Sequence, residues 1–66
     1  MNTLINGTPT ELPEGLTVAQ LLDRLELGGK RLAVEVNEDI IPRSTFDQHI
    51  IEDGDRIEIV RAIGGG

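Results

Sequence analysis

A chain of 66 residues makes one domain around one core, burying only roughly 60% of the surface it exposes when unfolded, and a substrate-enclosing cleft of about 300 Å³ or more would hollow that core out. Six Lys and Arg against twelve Asp and Glu give a net charge of −6, and Phe46 is the only aromatic residue; this surface repels phosphate backbones and anionic lipid and offers bases no rings to stack on. Cysteine is absent, which excludes disulfides, thiolate metal sites and a cysteine nucleophile, and residues 1–66 contain neither a leader pattern nor an apolar run of the ~18 residues that a membrane span needs.

Residues 1–6 alternate, with Met1, Thr3 and Ile5 on one face and Asn2, Leu4 and Asn6 on the other, and Asn6-Gly7 is a hairpin turn signal. The return strand is predicted at residues 10–12, bracketed by Pro9 and Pro13, which cannot donate to a ladder. Thr17 and Gln20 then have the spacing of a capping box, with Leu16 and Leu21 placed as a hydrophobic staple. Val18, Leu21, Leu22 and Leu25 follow at i, i+3, i+4 and i+7, one apolar stripe of a helix that Gly28-Gly29 is expected to end. Residues 32–37 alternate again, with Leu32, Val34 and Val36 inward. Asn37-Glu38-Asp39 turns the chain, Ile40-Ile41 is a very short strand stopped by Pro42, and residues 43–48 suit a single helical turn carrying Phe46. After the turn at Glu52-Asp53-Gly54-Asp55, residues 56–62 form the last strand, with Ile57 and Ile59 inward and Glu58, Val60 and Ala62 outward.

This order predicts an α+β fold: a β-grasp (ubiquitin-like) roll in which one main helix packs on one face of a mixed sheet of four to five strands. The domain spans residues 1–62, and residues 63–66 form a flexible glycine tail. The size favours a carrier or binding protein over a self-contained enzyme, monomeric when free, and with neither a leader pattern nor a membrane-length apolar run the expected compartment is the cytoplasm. Its partners are expected to be proteins, with no nucleic acid and no membrane, and the acidity suits a basic docking surface or, equally, serves solubility alone.

Residues 45–66 resemble the end of ubiquitin: a one-turn segment, a polar turn, an alternating strand and terminal glycines. Closer still is the resemblance to the ThiS family of thiamine sulfur carriers. It is carried by the opening strand ending in Asn6, the helix start at Thr17, Val18, Leu21 and Leu22, and Val36-Asn37 followed by Ile41-Pro42-Arg43. Gln48-His49-Ile50, Asp53-Gly54-Asp55 and the Ala62-Ile63 approach to Gly64-Gly65-Gly66 complete it. The three glycines exceed the two of the family signature; Gly66 is read as the reactive end, with Gly65 as the alternative.

The resemblance implies that an E1-like adenylyltransferase (ThiF-like) uses ATP and Mg to adenylate the Gly66 carboxylate. Sulfur from a donor protein then displaces AMP, and a thiazole synthase (ThiG-like) consumes the thiocarboxylate. The chain itself binds no cofactor and no metal. Gly64 and Gly65 serve as the passage, since a residue without Cβ passes constrictions and takes almost any φ and ψ. Four residues extend about 13 Å at ~3.3 Å each. Leu4, Val60, Ala62 and Ile63, outward on the sheet, suit partner docking, and Arg61 beside the tail suits acidic groups on a partner; isolated exposed apolar residues and a solvated strand-end arginine are the plainer readings.

Other motifs read as structural. His49 has no Ser, Cys or carboxylate at triad-like spacing, Asp53-Gly54-Asp55 lacks the twelve-residue ligand spread of an EF-hand, and Gly28-Gly29-Lys30 lacks the spacing of a phosphate loop. The rivals are a molybdopterin synthase small subunit (MoaD-like), a ubiquitin-like protein modifier, and a non-covalent module with an incidental glycine end.

Overall fold

Asn6 and Gly7 both adopt positive φ, 49° and 81°, the two left-handed conformations that a type I′ hairpin requires. In the structure, a computed structural model that describes residues 1–61, this turn joins β1 (Asn2–Ile5) to β2 (Thr8–Glu11), with Ile5 opposite Thr8 and Asn2 opposite Glu11. The second strand starts at Thr8 and contains Pro9, not at Thr10 as predicted. The Leu12 amide donates to the Met1 carbonyl at 2.9 Å and the Met1 nitrogen to the Leu12 carbonyl at 2.6 Å. Hydrogen-bonded pairs alternate from there, so Pro9, opposite Leu4, falls on a non-bonded pair of an edge strand, where no donor is needed.

Thr17 caps α1 (Val18–Arg24): its Oγ1 accepts from the Gln20 amide at 3.1 Å, and Gln20 Oε1 accepts from the Thr17 amide at 2.9 Å. Val18, Leu21 and Leu22 are buried, and removing each such side chain from water stabilises by roughly 1.5–3 kcal/mol. Leu25 departs from the predicted stripe, because it is the C-cap and is 40% exposed. The helix also ends earlier than the glycine pair suggests. Glu26 takes φ 60°, and the Leu27 amide donates to the Leu22 carbonyl at 2.8 Å and the Glu26 amide to that of Asp23 at 3.0 Å, which is a Schellman motif closed by a glutamate. Gly28 and Gly29 form the following turn, in which the Lys30 amide donates to the Leu27 carbonyl at 3.1 Å.

A second two-residue turn at Asn37 and Glu38, φ 52° and 75°, joins β3 (Leu32–Val36) to β4 (Asp39–Ile40). A 3-10 turn (Arg43–Thr45) follows Pro42, and the next residue, Phe46, is buried. The last strand, β5 (Arg56–Arg61), lies between β1 and β3, parallel to the first and antiparallel to the second, giving the order β2-β1-β5-β3-β4. The result is the β-grasp arrangement, a mixed five-stranded sheet with one helix on one face. Val34, Val36, Ile57 and Ile59 alternate onto the helix side and share one core with Leu12, Leu16, Phe46 and Ile51. Ala62, the boundary read after it and the tail of residues 63–66 lie outside the described residues.

Candidate functional site

Because β5 leads into the glycine-bearing segment, whatever holds its end fixes where that segment starts. Its parallel pairing with β1 covers only Leu4 with Arg56 and Ile5 with Ile57. Beyond that point Asn6 takes over. Its backbone amide donates to the Ile57 carbonyl at 2.8 Å, its Oδ1 accepts from the Ile59 amide at 2.7 Å, and its Nδ2 donates to the Ile59 carbonyl at 3.3 Å. On the other side β3 pairs with β5 as far as Leu32 with Arg61.

Asn37 plays the matching part at the start of the strand. Its Oδ1 accepts from the Arg56 amide at 2.9 Å and its Nδ2 donates to Asp55 Oδ1 at 2.9 Å. In the sequence both asparagines read as strand ends entering turns, with no part in holding β5. The available signal was asparagine at the first turn position of each hairpin, where a carboxamide alone combines tolerance of positive φ with a side-chain donor and acceptor.

Of the residues proposed from sequence, Gly66, Gly65, Gly64, Ile63 and Ala62 lie outside the described residues. Arg61 is exposed at the end of β5. Leu4 and Val60 share the sheet face away from the helix, but Leu4 is half-buried opposite Arg56 whereas Val60, 57% exposed, stands opposite Ala33. The four-residue offset along β5 separates them by about 13 Å. Between them Glu35 and Glu58 face each other across β3 and β5, and Ile40, 72% exposed, lies opposite Glu35 on β4. Sequence reasoning gave Ile40 no role.

On the helix side a cavity of about 210 Å³ opens between α1, the Gly28-Gly29 turn and the 3-10 turn, lined by Leu22, Asp23, Leu27, Lys30, Arg43 and Phe46 among others. Arg43 Nη2 donates to the Lys30 carbonyl at 3.0 Å, joining the two loops. The motifs read as structural are engaged in the fold. The His49 carbonyl accepts from the Val18 amide at 3.0 Å. Asp53 Oδ1 accepts from the Asn2 amide at 2.6 Å, and Asp55 Oδ2 from that of Glu52 at 2.8 Å. Among the described residues no group of three His, Cys, Asp or Glu side chains could hold a metal ion, and no helix is long and apolar enough to cross a membrane.

Comparison with known proteins places this geometry. The sequence model of the ThiS family matches residues 3–66. The sulfur carrier protein ThiS of Escherichia coli (strain K12) is 36% identical over 66 residues, covering all of both chains. The thiazole synthase of Paramagnetospirillum magneticum is 41% identical over the whole of this chain, which spans only 20% of that relative's length. The crystal structure of a thiamine biosynthesis protein (ThiS) from Geobacter metallireducens superposes with a TM-score of 0.86 at 35% identity, covering both chains in full.

Proposed function

This chain belongs to the ThiS family, and from that membership we propose that it carries sulfur for the thiazole moiety of thiamine, with the Gly66 carboxylate as the carrying group. A carboxylate is anionic and resonance-stabilised, and its oxygen is a poor leaving group, so the carbonyl has to be activated. An E1-like adenylyltransferase supplies this with ATP and Mg: the carboxylate oxygen attacks the α-phosphorus, pyrophosphate leaves, and the mixed anhydride carries AMP as a good leaving group. Hydrosulfide then adds to the carbonyl carbon and expels AMP, leaving a thiocarboxylate nucleophile for a thiazole synthase.

The observation that carries this reading is the full-length match to the Escherichia coli sulfur carrier, which runs through the glycine segment. Relatives named thiazole synthase contain a stretch matching this whole chain, which supports a thiazole synthase as the consuming partner. The chain is then a co-substrate, with the nucleotide and the metal held by the activating partner, and the cytoplasm is the compartment in which these partners are expected.

Intact mass spectrometry tests the reading. After incubation with ATP, Mg, an E1-like adenylyltransferase and sulfide, the chain should gain the mass of sulfur replacing oxygen. An unchanged mass under conditions that load the Escherichia coli relative would refute it. Rescue of a thiamine auxotroph but not of a molybdenum-cofactor mutant separates this role from the molybdopterin branch.

A further inference from the structure

Although the chain carries a net charge of −6 from twelve acidic and six basic residues, the two signs are not mixed evenly. Four of the six basic residues gather at the end of the sheet where β5 stops. Arg61 stands opposite Leu32, Lys30 and Arg31 immediately precede Leu32, and Arg43 donates to the Lys30 carbonyl at 3.0 Å. All four are exposed, and with the described residues none forms an ion pair, the ion pairs there being those of Met1 and of Arg56.

The opposite end has the reverse sign. Glu11 and Glu14 flank Met1, Asp53 accepts from the Asn2 amide, and Arg56 lies 3.7 Å from Glu38. A partner with a uniformly basic surface would therefore attract the wrong end of this molecule. A partner carrying carboxylates around the opening that admits the residues after Arg61 would select the right one. The cavity between Lys30 and Arg43 adds an apolar floor of Leu22, Leu27 and Phe46.

We propose that this basic collar and the cavity behind it form a docking surface for a partner protein with an acidic rim, one apolar side chain of which seats between Lys30 and Arg43. The proposal deepens the carrier reading and rests on it, since it assumes that residues 62–66 enter the partner. It also reverses, at this end of the molecule, the basic partner that the overall acidity suggests.

Two substitutions of equal charge test it. Arg31→Glu and Arg56→Glu each lower the net charge by the same amount, from opposite ends of the sheet and at exposed positions. With the E1-like adenylyltransferase, Arg31→Glu should raise KM for the chain about tenfold with kcat unchanged, while Arg56→Glu stays within about twofold of the unsubstituted chain. Equal effects of the two, or none from Arg31→Glu, overturn the proposal. Amide shifts on titration with a polyglutamate peptide read the collar independently of loading. Shifts concentrated at Lys30, Arg31, Leu32, Arg43 and Arg61 support it, and absent or scattered shifts overturn it. A chain that shows the collar shifts but is never loaded would remove the carrier reading and leave the acid-binding surface standing.

Discussion

The side-chain amide of Asn6 encloses the backbone of Ile59, accepting from its N–H at 2.7 Å and donating to its C=O at 3.3 Å across 53 residues of sequence. It continues the β1 edge past the point where β1 itself has turned away, and so holds β5 in line just before the glycine-bearing segment. Asn6→Ala loses both bonds and puts a Cβ residue without a local hydrogen bond at φ 49°; a loss of about 2–3 kcal/mol is expected in urea unfolding. Asn6→Gly keeps the turn and should lose less. Hydrogen exchange of the Ile59 and Val60 amides should speed up in both variants, and unchanged exchange would show that the clamp does not hold the strand.

Glu35 and Glu58 are cross-strand neighbours on the solvent face of the sheet, and like charges directly opposite each other destabilise a sheet. Glu58→Lys turns the pair into an attractive one and should raise stability by about 0.5–1 kcal/mol at low ionic strength, fading with salt. Thermal unfolding at two salt concentrations measures this. An unchanged midpoint at both would mean that the two carboxylates already avoid each other.

The Schellman closure of α1 places Glu26 at φ 60°, a conformation that is unfavourable for a residue with a Cβ and free for glycine. Glu26→Gly should stabilise the fold by about 0.5–1 kcal/mol, the relief of left-handed strain less the extra chain entropy of glycine. A decrease in the urea midpoint would show that the Glu26 side chain contributes more than its backbone strain removes.

The Met1 ammonium donates to Glu11 Oε2 at 3.0 Å and to the Leu12 carbonyl at 2.6 Å, with Glu14 at 3.7 Å. The hydrogen bond to Glu11 raises its pKa above the ordinary 8.0; burial opposes the rise, and the charges of Glu11, Glu14 and Asp53 add to it. A folded pKa above the unfolded one means that the native state holds this proton more tightly. Its contribution is therefore complete below pH 8.0 and is lost as the pH climbs through the raised value. Stability should fall more steeply above pH 8.0 in the unsubstituted chain than in Glu11→Gln. Parallel profiles for the two would refute the linkage.

What the sequence disclosed and what it hid divide along the distance between partners. The capping box of Thr17 and Gln20, the inward set of Val34, Val36, Ile57 and Ile59, and the hairpin at Asn6-Gly7 all depend on neighbours within a few residues, and all are present. The early helix end was hidden because Gly28-Gly29 is the stronger local stop signal, while the Leu22–Leu27 closure accepts a glutamate at the left-handed position. The Asn6–Ile59 clamp and the offset between Leu4 and Val60 both follow from the parallel register of β1 and β5, which alternation alone does not encode. The basic collar escaped for the same reason: its members are scattered from Lys30 to Arg61 in sequence and share one end of the sheet only when the strand order brings their loops together. The proposed reactive glycines were legible only through family resemblance, because a glycine end by itself is common at chain termini.

That dependence makes the passage role of Gly65 the sharpest remaining test. A segment that has to thread a narrow channel can tolerate neither a Cβ branch nor the restricted backbone that comes with it, and valine imposes both. Gly65→Val should therefore abolish thiocarboxylate formation, while urea unfolding stays within about 0.5 kcal/mol of the unsubstituted chain, the usual range for a surface substitution away from special features. Gly65→Ala, which adds a single methyl, should retain part of the activity. Intact mass spectrometry of the three chains after loading reads the series directly, and full loading of Gly65→Val would show that the activating partner receives this segment in an open cleft.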